Sequence, residues 1–264
     1  MSVWALVAAA LAAPTASGQD WARARLENSP RHLEYVEVKH GDRAVKCFVA
    51  YPEVKEKATA VIVIHEIFGL SDWVRGVADQ LAEAGFIAIA PDLLSGSGPK
   101  GGGTDDLGGG DAVRNAIFKL PPARIMADLD ATSAYVRALP ACNGKVAVAG
   151  YCWGGSQSFL YATHSDAIGA ALVFYGTGPN QADAIARIKA PVHGFYGGND
   201  ARVNASIPAT TALMKEAGKT FEPVIYEGAG HGFLRAGEAP DASPANKEAR
   251  DAAWKRIKEI VGKL

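Results

Sequence analysis

Cysteines, long apolar runs and unbalanced charge are all scarce in this sequence, and each scarcity removes a class of function. Three cysteines, Cys47, Cys142 and Cys152, are spread over 264 residues. So few, and an odd number, do not make the disulfide framework of a small secreted domain, and none sits in a CxxC or Cys/His cluster with zinc spacing. No metal and no cofactor are expected. Lys and Arg total 27 against 28 Asp and Glu, a net charge of −1. That balance offers neither a nucleic-acid footprint nor a polybasic patch for membranes. The expected partner is a small-molecule substrate, and a monomer is the expected state.

No apolar run reaches the roughly 20 residues that a bilayer span needs. The longest candidate, VWALVAAALAA over residues 3–13, is followed by Pro14 and small residues. It fits the core of a secretory signal, with Ala16-Ser17-Gly18 as the cleavage site, although Met1-Ser2 supplies no basic residue before it. Export to the periplasm or medium is therefore expected. A misassigned start codon would instead leave the protein in the cytoplasm.

What is present is a core-forming chain, 48% hydrophobic and 21% charged, too apolar for disorder. No linker, heptad or internal repeat divides residues 19–264, which are expected to form one domain. Leu33–His40 and Ala44–Ala50 alternate apolar and polar residues around His40-Gly41-Asp42, as a half-buried hairpin does. Thr59–Ile64 is a continuous β-branched run, suited to a strand covered on both faces. Further strands are expected at Phe86–Ala90, Lys145–Ala149, Gly169–Tyr175, Val192–Tyr196 and Phe221–Tyr226. Helical spacing falls over 71–84, 123–139, 154–163, 181–188, 205–217 and 245–262. Repeated strand–helix units predict an α/β fold: a mainly parallel sheet with an antiparallel edge hairpin and helices on both faces. The glycine-rich stretch Ser95–Gly110 is expected to be a surface loop, and a candidate flap over the site.

In such sheets the chemistry gathers at the carboxyl ends of the strands. Lys145–Ala149 runs straight into Gly150-Tyr151-Cys152-Trp153-Gly154-Gly155. This is the G-x-C-x-G form of a nucleophile elbow, a strand-to-helix turn sharp enough to need glycines on both sides. It sets the Cys152 sulfur at a helix N-terminus, where free N–H groups favour a thiolate. Asp200 follows the next strand but one, after Gly197-Gly198, and His231 follows the last strand within Gly230-His231-Gly232. The order nucleophile, acid, base is that of the α/β-hydrolase fold. His231 would act as base, with Asp200 fixing its tautomer. The first parallel strand ends in His65-Glu66-Ile67, so the backbone amides of Ile67 and Trp153 are the candidate oxyanion donors.

Taken together, HEIFGL at 65–70, PDL at 91–93, GYCWGG at 150–155, YGGND at 196–200 and GHGF at 230–233 resemble the dienelactone hydrolase family. The resemblance runs from about residue 30 to the end of the chain. It implies hydrolysis of a lactone ester such as carboxymethylenebutenolide. It assigns Glu66 the Cys152 proton once substrate displaces Glu66 from an arginine. It makes Arg235 a ligand for the substrate carboxylate and Tyr175 a wall of the pocket. It also implies a second arginine upstream of the nucleophile, with Arg114 and Arg124 both open. The apparent export signal and the glycine-rich insertion depart from the family pattern. Rival readings are a broad carboxylesterase or thioesterase, and a noncatalytic redox thiol on the same scaffold.

Overall fold

The computed structural model describes residues 20–264. The expected signal segment lies outside the described residues. Helix α1 (Asp20–Glu27) leads into the hairpin β1 (Leu33–His40) and β2 (Arg43–Ala50), and then to β3 (Ala58–Ile64), α2 (Asp72–Glu83) and β4 (Ile87–Pro91). Helices α3 (Gly110–Phe118) and α4 (Pro122–Ala138) precede the central unit β5 (Cys142–Tyr151), α5 (Trp153–His164) and β6 (Ala170–Phe174). The remainder is α6 (Ala182–Ala186), β7 (Val192–Gly197), α7 (Ala201–Asn204), α8 (Ile207–Glu216), β8 (Phe221–Tyr226), α9 (Phe233–Ala236) and α10 (Pro244–Val261).

The strands form one sheet in the order β1-β2-β4-β3-β5-β6-β7-β8. β1 and β2 are antiparallel to each other, β2 is antiparallel to β4, and every later pairing is parallel. This is the predicted mainly parallel sheet with an antiparallel hairpin at one edge. Every residue of β3 is buried, because each face of the sheet has its own core. Ile62 and Ile64 pack on one side with α4 and α5 residues such as Leu129 and Phe159. Val61 and Val63 pack on the other with Trp73, Val77 and Leu81 of α2 and Ile257 of α10. Alternation along the strand thus feeds two layers, as a sheet sandwiched by helices requires.

The register aligns the carboxyl ends of the strands. Ile64 pairs with Gly150, Tyr151 with Phe174, and Gly197 with Tyr226. The residues following these positions are therefore delivered to one rim.

The segment 95–110 departs from a simple flap. It contains two short 3-10 turns, Pro99–Gly101 and Thr104–Asp106, and α3 begins at its last residue. Thr104 fastens it: the backbone N–H and the hydroxyl each donate to the Asp92 carboxylate at 2.7 Å. The same hydroxyl accepts from Leu70 N–H at 3.1 Å. Glycine repetition concealed this anchoring, which rests on a single hydroxyl and a buried acid at the end of β4.

Candidate active site

Cys152 sits at the junction of β5 and α5 with φ 57° and ψ −116°, a positive φ that costs a non-glycine residue strain energy. The surrounding glycines show why the turn closes. A Cβ on Gly150 would lie 1.9 Å from Gly154 O, and one on Gly154 would lie 2.4 Å from the carbonyl oxygens of Ile64 and His65. Cys152 N–H donates to Phe174 O at 3.0 Å, tying the elbow to the neighbouring strand. The Trp153 amide is the first of α5, so it has no acceptor inside its own helix, and it lies where it stabilises a thiolate on Cys152.

Three strand ends meet at this sulfur. His231 Nε2 is 3.2 Å from Cys152 Sγ, and His231 Nδ1 is 2.5 Å from Asp200 Oδ2. Asp200 is buried and caps α7, its Oδ1 accepting from Val203 N–H at 3.4 Å. The loop carrying His231 is braced on both sides. Asn199 N–H and its side-chain amide donate to Ala229 O and Gly228 O, each at 2.9 Å, while Gly230 N–H donates to Asn246 Oδ1 of α10 at 3.0 Å.

Glu66 is only 2% exposed, so it is no solvated loop charge. Its Oε2 accepts from Arg235 Nε at 2.8 Å. Burial pushes the Glu66 carboxyl above its ordinary range, against the opposing pull of Arg235 and His231. The Cys152 thiol is likewise pushed up, first by burial and then by the negative charge of Glu66, while the Trp153 amide and the charges of Arg202 and Arg235 pull the other way. The resting thiol is therefore mainly neutral, and it lies in contact with the His231 imidazole.

A cavity of about 330 Å³ opens beside the sulfur, lined by Ile67, Phe118, Trp153, Tyr175, Arg202 and Val203 among others. Tyr175 is fully buried with φ 38°, and its ring centre is 5.0 Å from that of His231. Arg235 does not line this cavity; its guanidinium lies 5.3 Å from the Phe68 ring centre. Neither upstream arginine reaches the cavity. Arg114 faces Asp111 at 4.0 Å on α3, and Arg124 donates to Ser95 O at 2.5 Å. A larger cleft of about 430 Å³ lies between α2 and α10, bordered by Glu83, Arg250 and Lys258, and no thiol or histidine lines it.

Two residues escaped the sequence reading. His65 Nδ1 hydrogen-bonds Glu66 O at 2.8 Å, and its ring stacks on Trp153 at 5.5 Å, so it braces the loop after β3 against the elbow. Its position just before Glu66 was the available signal. Arg202 lies two residues beyond Asp200 on the same short helix, and nothing in the spacing says which way such a residue faces.

Among the described residues no group of His, Cys, Asp or Glu is arranged to hold a metal ion, and no helix is long and apolar enough to cross a membrane. A family model described as "Dienelactone hydrolase family" matches residues 45–264. A Methylorubrum extorquens protein described as "Putative carboxymethylenebutenolidase" is 31% identical over 236 residues, covering 85% of this chain and 78% of that one. A Saccharolobus solfataricus protein of the same description is 30% identical over 256 residues, covering 83% and 94%. In fold the chain is similar to a "Putative Dienelactone Hydrolase" from Klebsiella pneumoniae, with a TM-score of 0.77 at 24% identity over 89% of this chain and 99% of that one. The chain therefore belongs to the dienelactone hydrolase family of the α/β-hydrolase superfamily, a family of carboxylic ester hydrolases.

Proposed function

We propose that this protein hydrolyses lactones and enol esters of the dienelactone type through a thioester on Cys152. The observation that carries the reading is the continuous contact from Cys152 Sγ through His231 to Asp200, at 3.2 and 2.5 Å. The thiolate attacks the ester carbonyl, and the backbone amides of Ile67 and Trp153 receive the oxyanion. The ring oxygen leaves as an enolate and takes up the proton that left the thiol; water, deprotonated by His231, then cleaves the thioester, and the departing thiolate recovers that proton as the thiol. Enol oxygen is a better leaving group than alkoxide, so it competes well with a departing thiolate, whereas amide nitrogen does not.

The Glu66–Arg235 pair adds a gate. While Arg235 holds it, Glu66 is neutralised; a substrate carboxylate that takes Arg235 leaves a buried, uncompensated carboxylate. Glu66 then becomes a stronger base and accepts the Cys152 proton. Tyr175 provides the wall against which the substrate lies. Exported material would act on lactones outside the cytoplasm, and the mature chain is read as a monomer.

Turnover of cis- and trans-dienelactone and of p-nitrophenyl acetate by the wild type, Cys152→Ser and Cys152→Ala tests this. The expected result is loss of all three activities in Cys152→Ala. Cleavage of p-nitrophenyl acetate alone would support a broader carboxylesterase, and turnover indifferent to Cys152 would overturn the reading.

A further inference from the structure

We propose that Arg202 is the residue that selects anionic substrates here, binding a carboxylate on the ester or lactone whose carbonyl lies at Cys152. The inference rests on the hydrolase reading above and adds to it the residue that discriminates charged from neutral substrates.

Arg202 lines the same cavity as Cys152, among Ile67, Phe118, Trp153 and Val203. Among the described residues no hydrogen bond or ion pair holds its exposed guanidinium, whereas every other arginine there is engaged by a carboxylate, carbonyl or hydroxyl. An uncommitted guanidinium beside an apolar wall is a charge awaiting a counter-ion. Its planar fork suits a carboxylate, and its exposure leaves it open to an anion entering from solvent.

The backbone that carries Arg202 is fixed by the catalytic acid itself. Asp200 caps α7 through Val203 N–H, and Asn204 Nδ2 donates to Gly197 O at 2.8 Å. The turn that aims Asp200 at His231 therefore also presents Arg202 to the cavity. Arg235 differs in kind, since its Nε is already bonded to Glu66 and any anion it takes must break that pair. Arg202 meets an anion without an exchange. Arg202 thus makes the first contact with the charge and sets its affinity, and the gate at Arg235 operates only when the same carboxylate goes on to draw Arg235 from Glu66. Largely apolar and aromatic walls, with the Ser156 and Thr177 hydroxyls and Arg202 as the cation among the lining residues, fit a flat unsaturated or aromatic body bearing one carboxylate. Neither Arg114 nor Arg124 is needed for this.

The test compares mono-4-nitrophenyl terephthalate with its neutral methyl ester, which share a leaving group and ring. The wild type is expected to prefer the acid, and about 0.5 M salt to narrow that preference. In Arg202→Gln the acid-to-neutral ratio of kcat/KM should fall roughly tenfold or more, carried by the KM of the acid. Arg202→Lys should keep an intermediate preference, and Arg202→Glu should invert it. An unchanged ratio in Arg202→Gln overturns the proposal, as does loss of the preference in Arg235→Gln alone. An equal loss on both esters through kcat would show a merely structural residue and overturn it too. Cys152→Ala serves as the separate control: turnover surviving there defeats the hydrolase reading rather than the role of Arg202.

Discussion

Glu66 and Arg235, far apart in the chain, form an ion pair beside Cys152 with Oε2 and Nε 2.8 Å apart, the carboxylate buried and the guanidinium 32% exposed. Glu66 follows the end of β3 and Arg235 sits in α9, so the pair also joins the loop after β3 to the segment that carries His231.

Removing one partner should expose this. Arg235→Ala leaves a buried carboxylate without its cation, a change that costs about 3–5 kcal/mol in comparable pairs. Burial already raises the Glu66 carboxyl, and loss of Arg235 raises it further, favouring the neutral acid. The penalty is therefore smaller at acid pH, where Glu66 is protonated, and larger above its titration. Thermal unfolding of the variant at pH 5 and pH 8, referred to wild type at each pH, checks the sign.

The thiol should titrate late. Burial and then the charge of Glu66 push it up, so alkylation of free enzyme by iodoacetamide should rise with pH and have its midpoint above the usual thiol value of about 8.5. Glu66→Gln removes the second cause and should lower that midpoint. Cys47 and Cys142 are buried, and a Cys152→Ser sample gives their background. A low midpoint in wild type would mean a thiolate formed before substrate arrives.

Thr104 should matter to rate although it lies outside the cavity. Its hydroxyl joins Asp92 to Leu70 N–H in the loop after β3, which carries the proposed oxyanion donor Ile67. Thr104→Val keeps the shape and removes both bonds, and is expected to lower kcat roughly tenfold, as small misplacement of oxyanion donors does. Thr104→Ser should recover most of it. Steady-state kinetics on p-nitrophenyl acetate distinguish the two.

The attachment of α1 should be sensitive to acid. Asp79 of α2 is buried at the cost of desolvation, yet bonds from Arg31 and Ser29, together with the charges of Arg25 and Arg31, bring its carboxyl below its usual range. Its contribution is fully present above the unfolded value of about 3.9 and is lost as pH falls through the lower folded value. Asp79→Asn should destabilise the protein by about 3 kcal/mol near neutrality and by less as that window is crossed, read by denaturant unfolding across pH.

Much of this architecture was legible because its causes are local. The run Thr59–Ile64 can be buried on both faces only as a strand, and Gly150, Gly154 and Gly155 announce a turn that no side chain would survive. The chain order of Cys152, Asp200 and His231 followed from the same logic. What escaped depends on orientation and distant partners. Helix α3 was hidden behind a glycine-rich stretch whose anchor, Thr104, is one hydroxyl among many. His65 looks like any histidine until Trp153 is laid against it. The arginine expected upstream, Arg114 or Arg124, engages other groups, while Arg202 faces the cavity because Asp200 ends one turn and begins another.

The brace from Gly230 N–H to Asn246 Oδ1 makes the last helix a custodian of the base. The same helix also seals one face of the sheet with Ala253, Ile257 and Val261. One element thus closes the core and steadies the imidazole, so whatever loosens its docking reaches both. Asn246→Ala removes the brace and leaves that apolar face intact, and so separates the two duties.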